Sequence, residues 1–189
     1  MFYKIAENFQ VKIDTSKLKD IPTIFQQSTE DRKTRPVWIK HTRFTRAGDW
    51  AFVSFLENPY MIYPELCNDI VDKISYLSDN KINKSKEDIR FIRTEGDLIP
   101  HHDGTRHSCI NIGLELSDSA TTTFSINNSF DDYDCIPPNI TGFNIKQGEI
   151  YILDVKNVHA VHQISTEPRY LATLSFMEPY SYLLNIFNP

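Results

Sequence analysis

The chain is 189 residues long, 40% hydrophobic, 12% aromatic and 24% charged, which supports one globular domain with a real core and excludes a disordered chain. A formal charge of −5 argues against phosphate-backbone attraction, and no run reaches the roughly 18 apolar residues of a membrane span, so neither a nucleic-acid nor a membrane partner is expected. The N-terminal "MFYKIAENFQVKID" lacks a signal peptide's apolar segment, and Cys67, Cys109 and Cys135 are scattered and odd in number, which fits reduced thiols and a cytoplasmic location.

Taken in chain order, residues 1–87 read as a mixed flank. "KLKDIPTIFQQ" is a helical candidate broken by Pro22, and the polar "QSTEDRKTR" after it reads as a loop. The segment "VWIKHTRFTRAGDWAF", residues 37–52, interleaves Trp38 and Trp50 with Lys40, His41, Arg43 and Arg46. Half-buried strands with a solvated face are the favoured reading, and a substrate mouth the alternative. Leu66, Ile70, Ile74 and Leu77 recur at spacings of four, four and three after Pro64, which predicts an amphipathic helix that packs on a core.

Beyond Asp79 the texture changes to short runs of Ile, Val, Thr, Tyr and Phe between Gly, Pro, Asn and Asp clusters. Strands are predicted near 89–94, 108–116, 121–126, 140–145, 149–154, 158–164 and 169–177. They are punctuated by turns at 95–97, 129–139 and 146–149. The fold class is mainly β with flanking helices, a jelly-roll core over about 88–178 within a single domain of 1–189.

Within that core, His101 and Asp103 are two residues apart and on an extended segment point the same way. His159, in "DVKNVHAVHQISTEPR", lies on a late strand that a sandwich can bring alongside. Two neutral imidazoles and a carboxylate suit Fe(II), gripping one face of an octahedron and leaving the other for a bidentate cosubstrate and O₂. A structural zinc site would be closed by four ligands, and the sequence has no CxxC or CxxH pair to build one. Ten residues past His159 stands Arg169, whose planar fork suits a carboxylate. Its competing role is an ion pair with Glu167 or Asp154.

With "HHD" at 101–103, the distal His159 and Arg169 after it, the sequence resembles the 2-oxoglutarate and Fe(II)-dependent dioxygenases. Over residues 88–177 it looks most like the aspartyl/asparaginyl β-hydroxylase and free proline hydroxylase branch. The resemblance implies a double-stranded β-helix, or cupin-like jelly roll. It also implies Fe(II) held by His101, Asp103 and His159, and 2-oxoglutarate anchored by Arg169 through its C5 carboxylate, with help from Asn111. The implied reaction is hydroxylation of an unactivated C–H bond, with release of succinate and CO₂, on a small amino acid or peptidyl residue.

The alternatives are a cupin-like metalloenzyme that does not use 2-oxoglutarate, and a non-catalytic metabolite-binding jelly roll. Some relatives carry a serine two residues after the arginine, where this chain has Leu171. Either Thr173 or a tyrosine substitutes, or Arg169 acts alone. Arg106 is read either as a hydrogen-bond donor to cosubstrate or substrate, or as a solvated loop charge. His102 and His162 are expected outside the ligand set, His107 at a strand edge, and Cys109 as a small buried hydrophobe.

Overall fold

The computed structural model describes residues 1–24, 36–44, 50–115, 120–134, 139–163 and 167–188. Side chains of residue 24, residue 37 and residues 40–52 lie outside this description, as do the predicted loop at 27–35 and Cys135. Among the described residues no helix is long and apolar enough to cross a membrane.

Two sheets make up the sandwich. The larger contains β1 (Phe2–Ala6), β2 (Thr23–Ile24), β3 (Val37–Phe44), β4 (Trp50–Glu57), β5 (Ile89–Glu95), β7 (Ser108–Glu115), β10 (Ile150–Asp154) and β12 (Arg169–Phe176), in the spatial order β1-β10-β7-β12-β5-β4-β3-β2. The smaller contains β6 (Leu98–His101), β8 (Ala120–Ser125), β9 (Ile140–Phe143) and β11 (His159–Gln163), in the order β6-β11-β8-β9. Two antiparallel-dominated sheets face to face are the jelly-roll arrangement that the alternation predicted.

Each predicted strand from 89 to 177 is present within one or two residues of its expected ends. Strand β7 shows why. Its alternation sends Ile110, Ile112 and Leu114 into the core on the outer face of the large sheet, while Cys109 joins the core between the sheets. Both faces are therefore covered, as a central strand requires.

The outer core is closed by α2 (Pro64–Leu77) and α3 (Tyr180–Phe187). Helix α2 starts with Pro64 in its first turn and buries Leu66, Cys67, Ile70 and Ile74, each large aliphatic contributing about 2 kcal/mol of burial. Leu77 is only partly buried, because the helix is already ending. Asp79 and Asn80 take left-handed backbone angles, and the Asn80 N–H closes on the Ser75 carbonyl at 2.8 Å.

Four of the eight strands of the large sheet come from before residue 58. Residues 37–44 and 50–57 are antiparallel neighbours, in line with the strand reading of 37–52. Trp38 is buried and donates its indole N–H to the Leu18 carbonyl at 3.0 Å, which fastens this part of the sheet to α1 (Ser16–Lys19). The helical candidate at 17–27 is corrected. Its one helical turn ends at Lys19, before Pro22, and Thr23–Ile24 pairs with β3 as strand. The turn at 146–149 depends on Gly148 at φ +76°, where a Cβ would meet the Phe9 carbonyl oxygen at 2.3 Å, so only glycine fits.

Candidate active site

Strands β6 and β11 run antiparallel, and their register sets His101 directly opposite His159. Cross-strand partners point to the same face, and the two rings lie 4.3 Å apart between centroids. Asp103 follows on the segment leaving β6. Its own N–H bonds the Val155 carbonyl at 2.8 Å, and the Lys156 ammonium holds the carbonyls of Asp103 and Gly104, each at 3.0 Å. One ligand atom from each of His101, Asp103 and His159 lies within 4.8 Å of the others.

Both imidazoles are oriented from behind. His101 Nδ1 is 2.7 Å from the Ile99 carbonyl and His159 Nδ1 is 2.9 Å from the Asn157 carbonyl. A carbonyl only accepts, so Nδ1 carries a proton in each ring, and a metal would be bound through Nε2. Phe124 stacks on the His159 ring at 5.5 Å. Burial, helped by the neighbouring His101, pushes the His159 pKa down to about 3, so the ring has no proton to displace at neutral pH. Burial works to raise the Asp103 carboxyl, but the Arg106 charge and hydrogen bond, with the histidines, hold it below the usual carboxylate range. A neutral His159 nitrogen, an ionised Asp103 oxygen and the His101 ring thus meet in a donor set that suits a divalent metal such as Fe(II).

The set opens into a pocket between the sheets that encloses about 590 Å³ of empty space, its mouth included. Val53, Phe55, Ile92, Leu98, Val161 and Leu171 form apolar walls. Arg169 also lines it and is only 4% exposed. Its Nη1 donates to Thr122 Oγ1 at 3.3 Å, while Nε is buried with no acceptor. No described carboxylate pairs with it, so the expected alternative of an ion pair with Glu167 or Asp154 is not what the structure shows. Burial lowers its pKa to about 10, leaving an ionised guanidinium without a counter-anion among the described residues, which is costly unless an anion joins it.

The hydroxyl expected beside Arg169 is therefore neither Thr173 nor a tyrosine. It comes from Thr122, on the opposite sheet. Thr173 instead accepts from Arg106, and Leu171 forms pocket wall. Sequence reasoning missed Thr122 although the signal was present: alternation along "TTTF" puts Thr122 on the face of Phe124, the ring that stacks on His159.

Asn111 is 7% exposed, lines the pocket, and its Oδ1 has no partner. Its register partner is Thr173, four residues along β12 from Arg169, roughly 13 Å at strand spacing. It thus lies at the Asp103–Arg106 end. Arg106 is not a solvated loop charge, since its side chain is 16% exposed and bonded to Asp103. His102 and His162 are exposed, with His102 6.0 Å from the Phe130 ring, and neither joins the set. Cys109 is buried, and burial pushes its thiol up to about 11, so it packs as an unreactive hydrophobe.

No protein-family model and no curated protein matches the sequence. Among solved structures, the chain is similar to the Escherichia coli ribosomal oxygenase YcfD, with 11% identity and a TM-score of 0.56 over 98% of this chain and 50% of that one. A second YcfD structure, in complex with cobalt and succinic acid, aligns at 10% identity and a TM-score of 0.54 over 95% of this chain and 48% of that one. The chain spans about half the length of YcfD. At this identity the likeness concerns architecture, and it establishes that the chain has the jelly-roll fold of an oxygenase such as YcfD.

Proposed function

We propose that the protein is a non-haem Fe(II) and 2-oxoglutarate-dependent oxygenase. The observation that carries this reading is the meeting, in one pocket, of a His101–Asp103–His159 donor set with a buried guanidinium that no anion among the described residues pairs. A metal explains the first and a dicarboxylate the second. YcfD offers a parallel, since one of its structures holds cobalt and succinic acid.

In this reading His101 and His159 bind Fe(II) through Nε2 and Asp103 through one carboxylate oxygen. Arg169 and Thr122 bind the far carboxylate of 2-oxoglutarate, and the apolar walls flank its methylenes and exclude water. When bound, the iron and cosubstrate supply O₂-dependent oxidation of an unactivated C–H bond, with 2-oxoglutarate converted to succinate and CO₂. Asn111 lines the metal end of the pocket, where the N–H donors of its amide would suit the near carboxylate. The described charged side chains of the pocket are all committed to metal, to Asp103 or to the cosubstrate. That favours an oxidised carbon on an uncharged stem, a peptidyl residue rather than a free zwitterionic amino acid.

Anaerobic titration of metal-free protein with Fe(II) and 2-oxoglutarate tests the reading. A weak visible charge-transfer band is expected only when both are present, and its absence would overturn the assignment. Thr122→Val should weaken 2-oxoglutarate about fivefold, the worth of one hydrogen bond of about 1 kcal/mol, and leave metal affinity unchanged. Calorimetry on the metal-loaded protein reads both.

A further inference from the structure

We propose that Arg106 is a positioning residue for the metal: it occupies one oxygen of Asp103 so that the carboxylate offers only the other to the ion. The proposal rests on the metal-binding reading above. Asp103 belongs to a stretch, residues 102–107, without helix or strand, so the backbone alone does not fix its carboxylate. Arg106 does. Its Nε donates to Asp103 Oδ2 at 2.6 Å, and its Nη1 donates to Thr173 Oγ1 at 3.2 Å and Ser175 Oγ at 3.3 Å. Both hydroxyls belong to β12, so the guanidinium ties the loop to the middle of the large sheet.

The remaining oxygen, Asp103 Oδ1, is 3.9 Å from His101 Nε2, on the side where the imidazoles meet. With Oδ2 engaged, a second metal contact from the same carboxylate would have to break a short charge-assisted bond. A one-oxygen ligand keeps an additional coordination position open, which a site that admits both a chelating cosubstrate and O₂ requires. The same geometry argues against Arg106 as an anchor for cosubstrate or substrate, because any incoming carboxylate would compete with Asp103 for it.

Two effects of Arg106 on a cation oppose each other. Its positive charge repels the ion, whereas its grip on Asp103 preorganises a ligand. The sign of the change on removing it therefore decides which dominates. Metal-free protein is titrated with Co(II) alone, without 2-oxoglutarate, and followed by visible absorbance, for wild type, Arg106→Met, Arg106→Lys and the double variant Thr173→Val/Ser175→Ala.

Positioning predicts that Arg106→Met binds Co(II) 10- to 100-fold more weakly, the usual cost of losing an outer-shell partner, with an altered absorption envelope. Arg106→Lys recovers part of the affinity, and the double variant, which keeps the Asp103 pair but frees it from β12, weakens binding by a smaller factor in the same direction. Unchanged or tighter Co(II) binding by Arg106→Met overturns the proposal. Should that variant fail to fold, by circular dichroism, wild-type affinity in the double variant does so instead. Failure of the wild type itself to bind Co(II) sinks the metal reading, and the role of Arg106 with it.

Discussion

Asp103→Asn is expected to abolish metal-dependent turnover while the fold survives. The substitution keeps an oxygen that can accept from Arg106 Nε but removes the negative charge that makes the group a hard ligand for a divalent cation. Losing an outer-shell partner typically costs up to about 100-fold in metal affinity, and loss of a direct ligand should exceed that. Alanine would be a poorer test, since it leaves the Arg106 charge facing an empty space, and breaking a mostly buried pair is itself destabilising. With asparagine the two effects separate. Co(II) titration and succinate release report on the site, and thermal melting of the metal-free protein reports on the fold. Melting within a few degrees of wild type is expected, because the cores of the two sheets are built by apolar side chains rather than by the Asp103 carboxylate. Full turnover in this variant would refute the ligand assignment. A large drop in melting temperature would show that the carboxylate serves the fold.

The seven predicted strands between 89 and 177 were legible because they combine two signals, alternating apolar residues and turn-forming residues at their ends. Strand β6 lacks the first. Leu98–His101 is four residues long, includes Pro100 and ends on the ligand His101, so nothing alternates, and only pairing with β11 makes it a strand. Helix α3 was missed because its eight residues, "YSYLLNIF", are too few to distinguish a helical period from an apolar strand.

His159 is preferred over His162 in the sequence because it stands ten residues before Arg169 and His162 only seven; in the structure His159 lines the pocket and His162 is exposed. The Asp103–Arg106 pair was beyond sequence reasoning. An i,i+3 spacing implies contact on a helix, but in an irregular loop it carries no such meaning. The partner of Arg169 was sought two residues along its own strand. The side chain instead reaches across the sandwich to β8, a contact set by how the sheets face each other rather than by local sequence.

Arg169→Met is expected to separate binding from stability in opposite directions. If the guanidinium exists for the fold, removing it should cost stability, as loss of any buried polar partner does. The structure gives it little to do there: one 3.3 Å bond to Thr122, an unpaired Nε, and a pKa lowered by burial with no compensating charge. An uncompensated buried cation raises the free energy of the folded state, and a methionine of similar length replaces it with apolar volume among Leu98, Val161 and Leu171. The metal-free, cosubstrate-free variant should therefore melt at or above the wild-type temperature. Cosubstrate binding should move the other way. A dicarboxylate seated against that guanidinium gains a charge-assisted, fork-shaped contact in a dry pocket, and truncating such a contact costs about 2 to 4 kcal/mol, or roughly 30- to 1,000-fold in affinity. Calorimetric titration of the metal-loaded variant with 2-oxoglutarate measures this loss. A variant that melts several degrees lower yet binds 2-oxoglutarate as the wild type does would make Arg169 a structural residue and require another anchor for the cosubstrate. A variant that gains stability and loses the cosubstrate would identify the missing anion as the ligand this buried charge is kept for.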